Sequence, residues 1–161
     1  AHGQDSQVEI SAGDFKAAEE WALVLSLPFY QVTANPDVVG CQWLAALKNI
    51  YAIKVGMASC LNAKSAYFSD ALIEMSQWLA NIGANANTAY GRSGAGDLYV
   101  TSLGGRNGAF GGHLATGLSV DEVLGGPMQG VTVEGYELAK LFQGYRGLSY
   151  PRIFTGLLEL L

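Results

Sequence analysis

The chain has 161 residues, of which half are hydrophobic and 14% are charged, and its formal net charge is −5. This length and composition can bury the core of one domain and a fragment of a second, whereas no charge-free apolar run is long enough to cross a bilayer or laid out as a secretory signal. We therefore expect a cytoplasmic protein with no membrane span, and the acidic balance argues against a nucleic-acid partner.

The N-terminal 40 residues predict a β-α-β unit. Its predicted parts are a disordered end (1–7), a strand (8–11), a helix (14–26) capped by Asp14, and a strand (29–34) that ends at a turn over 35–37. The helix places four apolar side chains on one face: Phe15, Ala18, Ala22 and Leu25. Because two strands alone are marginally stable in water, residues 1–40 predict the end piece of a larger sheet.

The pattern becomes helical from residue 41. Residues 41–58 are apolar nearly all round, which predicts a central helix, and a second helix is predicted over 63–83. Residues 91–130 hold 12 of the 21 glycines between regularly spaced apolar side chains, a pattern typical of short helices joined by glycine turns. Two further helices are predicted near 131–143 and 150–161, so residues 41–161 form a mainly α domain.

The distribution of charge indicates what kind of ligand the chain could bind. Residues 41–112 carry five basic and three acidic side chains within an acidic chain, which favours a small anion bound at one place.

Cys41 and Cys60 lie in apolar stretches and could form a disulfide, bind a metal or be core residues. Without a signal peptide, reduced core residues are favoured. His2 and His113 have no partner at metal-ligand spacing, so we expect no metal site.

Lys48 lies in the middle of the most apolar helix. Ala45 and Ala52, one turn away on either side, leave room for a ligand beside its ammonium. Position alone favours a structural lysine whose charge reaches the surface. A buried Lys48 would instead suit proton transfer or polarisation of a carbonyl.

Asp97 follows a glycine-rich segment where a helix is predicted to begin. We expect its carboxylate to cap that helix, with Thr101 four residues later on the same face. The glycines do not form a dinucleotide fingerprint, because Tyr99 stands where the third glycine is needed.

Arg106 and Asn107 lie between two glycines, Gly105 and Gly108, where another helix can start. Backbone N–H groups at a helix start, joined by a guanidinium and a carboxamide, would bind a phosphate or carboxylate. An ordinary loop arginine is the equally simple alternative.

Five segments occur in a characteristic order: "GCQWLAALKNIYAIKVGM", "NAKSAYFSDALIEM", "GAGDLYVT", "GGRN" and "VEGYELAK". From about Asp14 to the C-terminus, their order and spacing resemble the C-terminal half of NAD(P)-dependent glycerol-3-phosphate dehydrogenase. The resemblance implies a mainly α, multi-helix domain like the C-terminal domain of 6-phosphogluconate dehydrogenase, preceded by a β-α-β remnant of a Rossmann domain. It also implies NAD or NADP as cofactor, a phosphorylated three-carbon substrate and a possible homodimer.

The same resemblance implies a role for each matching residue. Lys48 matches a catalytic lysine that exchanges a proton with the oxygen at C2 of the substrate, and Asp97 matches the acidic residue that orients it. The implied substrate-binding residues are Asn49, Thr101, Gly105, Arg106 and Asn107. Arg106 also reaches toward the dinucleotide, which Thr132 and Glu134 line.

Departures from the family pattern concern mainly charge. Gln42 stands where a glutamate is usual, Ser69 where an arginine is usual, and Gly108 where a second arginine often follows. The segment before Asn62 is also shorter than usual. Because the changes at Ser69 and Gly108 remove positive charge near the expected anion, they predict weaker substrate binding or a different substrate.

The sequence thus predicts the substrate-binding and catalytic portion of a glycerol-3-phosphate dehydrogenase, an enzyme of glycerol-3-phosphate metabolism and phospholipid biosynthesis. It would interconvert dihydroxyacetone phosphate and sn-glycerol 3-phosphate, and we expect these 161 residues alone to be inactive because they lack the dinucleotide fingerprint. Two alternatives are a non-catalytic domain for anionic-metabolite binding or dimerisation, and a related 2- or 3-hydroxyacid dehydrogenase. The glycine-bounded Arg106 and Asn107 favour a phosphate-bearing substrate over the hydroxyacids.

Overall fold

The computed structural model describes residues 5–144 and 151–161. They form a parallel β-α-β unit followed by a set of helices around one hydrophobic core, so the predicted mainly α fold is confirmed. No helix in these two ranges is long and apolar enough to cross a membrane.

The β-α-β unit comprises β1 (Ser6–Ile10), α1 (Phe15–Leu25) and β2 (Tyr30–Ala34). The strands pair in parallel, with Val8 opposite Val32. The prediction of a disordered end is wrong for Ser6 and Gln7, because the Ser6 N–H donates to Phe29 O (2.9 Å) and both residues pair with β2; residues 1–4 lie outside the described ranges.

Helix α1 begins where the sequence predicts, but fewer of the side chains on its apolar face are buried than predicted. The Asp14 carboxylate accepts the Lys16 N–H at 3.0 Å, which confirms the cap. Ala18 and Ala22 are buried, but Phe15 and Leu25 are 40% and 43% exposed. Further exposed apolar side chains lie on or beside this helix: Trp21, Leu23, Val24, Leu27 and Phe29. The unit therefore has a small core of its own and a large exposed apolar surface.

Helix α2 (Val38–Gly56) begins three residues before the predicted start, because Asp37 is a helix cap as well as a turn residue. The Oδ1 atom of Asp37 accepts the Gly40 N–H at 2.9 Å. Its Oδ2 accepts from Asn85 N (3.1 Å) and Thr88 Oγ1 (2.7 Å), which ties the start of α2 to a later segment. The predicted central position is confirmed by its buried residues: Gly40, Leu44, Leu47, Ile50, Tyr51, Ala52, Ile53 and Val55.

The remaining elements confirm the second predicted helix, the short helices predicted between 91 and 130, and the two helices predicted near 131–143 and 150–161. In order they are α3 (Leu61–Asn81), a 3-10 helix (Ala86–Tyr90), a π-helix (Arg92–Gly96), α4 (Asp97–Gly104), α5 (Arg106–Leu114), α6 (Val120–Gly125), α7 (Glu134–Gln143) and α8 (Arg152–Leu160). Residue 150, where the last helix was predicted to begin, lies outside the described residues. The glycine-rich segment is thus helical, as expected.

Helices α2 and α5 pack with their backbones in contact. A Cβ atom on Gly111 would lie 2.0 Å from Ile53 O, and one on Gly56 would lie 2.1 Å from Gly108 O. Since real Cβ contacts do not come this close, both positions require glycine for the observed packing. The close approach fixes α5 against the middle of the molecule.

Aromatic rings fill the core between α2, α3, α7 and α8. Trp43, Trp78, Phe142 and Phe154 form a cluster with ring centroids between 5.1 and 6.3 Å apart. The Tyr51 hydroxyl donates to Glu74 Oε2 at 3.0 Å within the core. Burial, with the nearby Glu74 carboxylate, raises the pKa of Tyr51 far above its usual range.

Both cysteines are free thiols. Cys41 is half-buried, but Cys60 is exposed, so the prediction that it is a core residue is wrong. Cys60 is the N-cap of α3, at the end of the helix rather than on its buried face. An apolar sequence neighbourhood does not reveal this position.

Candidate active site

Lys48 and Asp97 form an ion pair between two helices. Lys48 lies in the middle of α2 and donates from Nζ to Oδ2 of Asp97, the first residue of α4. The two side chains are 20% and 37% exposed, so both can be reached from solvent. The position of Lys48 in the sequence had favoured an ammonium that is free at the surface. The structure instead places the ammonium against a carboxylate.

Asp97 does not cap α4, and that prediction is wrong. The π-helix Arg92–Gly96 runs directly into α4, and the Asp97 N–H donates to Arg92 O and Gly94 O. The backbone here is already hydrogen bonded, so the helix start does not require a carboxylate. The Asp97 side chain instead extends to α2.

Arg106 and Glu134 form a second ion pair, between the starts of α5 and α7. Each is the first residue of its helix, and Arg106 Nη2 donates to Glu134 Oε1. Their side chains are 56% and 42% exposed. Gly105 precedes Arg106 with extended backbone, and the first N–H groups of α5 have no acceptor within that helix. Sequence reasoning placed an anion at Arg106 and missed that Glu134 supplies one within the chain.

Asn107 has a buried side chain that connects three helices. It is 3% exposed, its Nδ2 donates to Asn49 Oδ1 (2.9 Å), and its Oδ1 accepts the Gly135 N–H (2.8 Å). Asn49 in turn donates to Ala45 O at 3.1 Å. The Asn107 carboxamide is therefore engaged within the protein and holds α2, α5 and α7 together.

These contacts bring most of the predicted site residues into one region. Asn49 follows Lys48 on α2, Thr101 lies half-buried one turn after Asp97, and Gly105 links α4 to α5. Thr132 is exposed two residues before α7, and no hydrogen bond among the described residues connects it to the other site residues.

The three departures lie in different surroundings. Gln42 and Ser69 are exposed, and Ser69 Oγ donates to Ser65 O at 3.0 Å within α3. Gly108 is buried against Gly56 of α2, and a Cβ on Gly108 would also lie 2.9 Å from Ser102 O on α4. Packing therefore accounts for a small residue at position 108.

Two cavities of about 550 Å³ each differ in their relation to the site. One borders Asp97 and is lined by Gln7, Val8, Glu9, Arg92, Ser93, Gly96, Asp97, Tyr99 and Val100. The other lies among α2, α3 and α8, beside Lys54 and Arg152, and contains none of the predicted site residues. The cavity beside Asp97 opens between β1 and the π-helix, next to the ion pair with Lys48.

Solved structures share this architecture. Glycerol-3-phosphate dehydrogenase from Plasmodium falciparum superposes with a TM-score of 0.81 over 98% of this chain and 48% of its own, at 20% identity. The enzyme from Saccharomyces cerevisiae superposes with a TM-score of 0.78 over 98% of this chain and 50% of its own, at 21% identity. The described residues therefore have the fold of one half of a glycerol-3-phosphate dehydrogenase.

Sequence comparison defines the family. Residues 37–151 match the model of the NAD-dependent glycerol-3-phosphate dehydrogenase C-terminus. The NADP(+)-dependent glycerol-3-phosphate dehydrogenase of Archaeoglobus fulgidus is 32% identical over 94% of this chain and 48% of that protein. The glycerol-3-phosphate dehydrogenase [NAD(P)+] of Bacillus thuringiensis is 36% identical over 85% of this chain and 42% of that protein.

The chain belongs to the NAD-dependent glycerol-3-phosphate dehydrogenase C-terminus family. It spans about half the length of these relatives.

Proposed function

We propose that the chain is the substrate-binding and catalytic part of an NAD(P)-dependent glycerol-3-phosphate dehydrogenase, which interconverts dihydroxyacetone phosphate and sn-glycerol 3-phosphate. The observation that carries the proposal is the solvent-accessible ion pair of Lys48 and Asp97 on two packed helices. A ketone that accepts a hydride at C2 needs a proton at the developing alkoxide and a positive group beside it. The Lys48 ammonium supplies both.

Lys48 is the general acid/base of the proposed reaction. In reduction its ammonium donates a proton to the oxygen at C2, and in oxidation its neutral amine removes the proton from the hydroxyl. Asp97 holds the amine in place through the ion pair and balances its charge in the ammonium form. Asn49 and Thr101 flank this pair as substrate contacts.

Arg106, with Gly105, holds the substrate phosphate at the start of α5. A guanidinium on the first residue of a helix, together with the first N–H groups of that helix, is a phosphate-binding arrangement. Asn107 contributes its backbone there, because its carboxamide is bonded to Asn49 and Gly135. The phosphate competes with the Glu134 carboxylate for Arg106. Because position 108 is a glycine rather than a second arginine, phosphate binding is weaker than with both arginines.

A dinucleotide supplies or accepts the hydride when bound. The exposed pair of Arg106 and Glu134 fits such a ligand, because the guanidinium donates to phosphate oxygens and the carboxylate accepts from hydroxyl and amide groups. Exposed Thr132, just before α7, adds a hydroxyl to the same set.

In this proposal residues 1–40 belong to the nucleotide-binding domain and residues 41–161 form the substrate domain. A homodimer and a cytoplasmic location stay predictions. Sedimentation velocity of the purified protein measures the first, and fractionation of the source cells the second.

Calorimetry with dihydroxyacetone phosphate and a reductase assay test the proposal on the protein at its natural length. Arg106→Ala should weaken substrate binding about 10- to 100-fold, because a charged hydrogen-bond donor is lost. Lys48→Ala should lower kcat by about 10² to 10⁴ and affect binding less, since proton transfer is lost.

Lys64→Ala, an exposed lysine on α3, is the matched control and should behave like the wild type. Reduction that survives Lys48→Ala would contradict the catalytic role. Substrate binding without turnover in the wild type would instead support a non-catalytic domain that binds anionic metabolites.

A further inference from the structure

The π-helix that precedes Asp97 determines where that residue lies. Its wide turn is closed by the hydrogen bond from Gly96 N to Gly91 O (3.2 Å) and by that from Asp97 N to Arg92 O. π-helical turns are rare and persist where neighbouring contacts stabilise them. The contacts that hold Arg92 and Ser93 therefore also fix the backbone of Asp97.

Ser93 is bonded to the first strand through a single carboxylate oxygen. Oε2 of Glu9, on β1, accepts from Ser93 N (3.1 Å) and from Ser93 Oγ. The same oxygen accepts from Asn35 Nδ2 (3.3 Å), just after β2. Glu9 and Ser93 are both partly buried, which strengthens hydrogen bonds to the charged group.

Arg92, the neighbouring residue, is bonded to both strands. Its Nε and Nη2 donate to Gln7 Oε1 at 3.1 and 2.8 Å, and its Nη1 donates to Thr33 Oγ1 at 2.7 Å. Two consecutive residues of the π-helix are thus held by side chains on β1 and β2.

The 3-10 helix Ala86–Tyr90 closes the other side of the π-helix. A Cβ on Gly94 would lie 2.1 Å from Ala89 O, so the two backbones are already in contact. The π-helix is therefore held between this segment and the strands. The cavity beside Asp97 lies on the strand side, so loss of the strand contacts leaves the π-helix room to move there and displaces Asp97 with it.

We propose that Glu9 and Ser93 are positioning residues for the catalytic pair. Through the π-helix they hold the Asp97 carboxylate at the distance and angle at which it binds the Lys48 ammonium. The β-α-β unit thereby sets the geometry of a proton-transfer site on the helical domain. The catalytic consequence rests on the proposed function, whereas the positioning itself does not.

The reactivity of the Lys48 amine measures this positioning in the 161-residue chain. Competitive acylation with acetic anhydride, quantified by mass spectrometry, compares Lys48 with Lys64 as an internal reference. Glu9→Met removes the acceptor at similar size, and Ser93→Ala removes the hydroxyl. Each should raise Lys48 labelling about two- to tenfold, since the ion pair is loosened when charged hydrogen bonds are lost. Asp97→Asn defines the upper limit.

Two further variants separate positioning from general loosening. Ser93→Thr retains the hydroxyl and should restore labelling close to the wild-type rate. Glu19→Gln, an exposed glutamate on α1, should have no effect. The double variant of Glu9→Met and Ser93→Ala should label no faster than the faster single variant, because both remove the same contact.

An unchanged ratio of Lys48 labelling to Lys64 labelling in folded Ser93→Ala would overturn the proposal. This holds whether both rates stay the same or both rise equally. Should Glu9→Met not fold, Ser93→Ala and Ser93→Thr decide the outcome. In the protein at natural length, Ser93→Ala should lower kcat several-fold with little change in KM, and an unchanged kcat would also count against it. A wild type without reductase activity would refute the proposed function alone, because the labelling result does not depend on turnover.

Discussion

The Asn107 carboxamide bonds Asn49 on α2 and Gly135 on α7 from a position that is 3% exposed. Asn107→Ala should lower the free energy of unfolding by about 2–4 kcal/mol, because two buried hydrogen bonds are lost and their partners are left unsatisfied. Urea unfolding measures the change, with exposed Asn62→Ala on α3 as the control. Normal stability with weakened substrate binding would show instead that the side chain contacts the substrate.

Tyr51 provides a pH-dependent stability contribution. Burial and Glu74 raise the pKa of its hydroxyl, so the folded state retains the proton where the unfolded chain loses it. This contribution is fully present below the unfolded pKa of about 10 and is lost as pH rises above it. At neutral pH Tyr51→Phe should lower stability by about 1–3 kcal/mol, because the buried hydrogen bond to Glu74 is lost.

Between pH 9 and pH 11 the free energy of unfolding should fall less in Tyr51→Phe than in the wild type. Urea unfolding at several pH values measures this difference. Tyr90→Phe, at an exposed position, is the control and should keep the wild-type dependence. An alkaline dependence identical in Tyr51→Phe and the wild type would refute the assignment.

Asp97 shows what the sequence can and cannot predict about a residue. Its neighbouring glycines correctly indicate a helix start, but they do not reveal that the π-helix already satisfies the backbone N–H groups. The pairing with Lys48 joins residues 49 positions apart and depends on how α2 and α4 pack. The resemblance to the family, rather than any local pattern, indicated that these two residues act together.

At the scale of elements, the glycine contact between α2 and α5 controls how closely the two helices approach. Gly111→Ala should lower the free energy of unfolding by about 3 kcal/mol or more, because its Cβ would overlap the Ile53 carbonyl and the helices would have to separate. Thermal unfolding monitored by circular dichroism measures the loss. Gly104→Ala, in open space at the end of α4, is the matched control and should be neutral.

Helix positions were predictable where local signals were strong. The Asp14 cap and the apolar run of α2 both gave the right element, and the glycine-rich segment was correctly expected to be helical. The start of α2 was placed too late because Asp37 serves as turn and cap together. The fit of Gly56 and Gly111 into the opposing helix was not predictable, since it depends on two segments distant in sequence.

At the scale of the whole molecule, the β-α-β unit and the helical core differ in how much apolar surface they bury. The unit buries Ala18, Ala22 and Val32, whereas the core includes most of α2 together with the aromatic cluster. Amides of β1 and β2 should therefore exchange about 10- to 100-fold faster than those in the middle of α2. Native-state hydrogen exchange measures this, and equal protection would show that the chain opens as one unit.

The tryptophans divide between these two parts. Trp21 is 56% exposed on α1, while Trp43 and Trp78 have ring centroids 5.5 Å apart in the core. Iodide can therefore quench the emission of Trp21 selectively, and the close indole pair gives a near-ultraviolet dichroism signal that requires intact packing. The chain thus carries two built-in optical probes, one for the sheet unit and one for the helical core, without an added label.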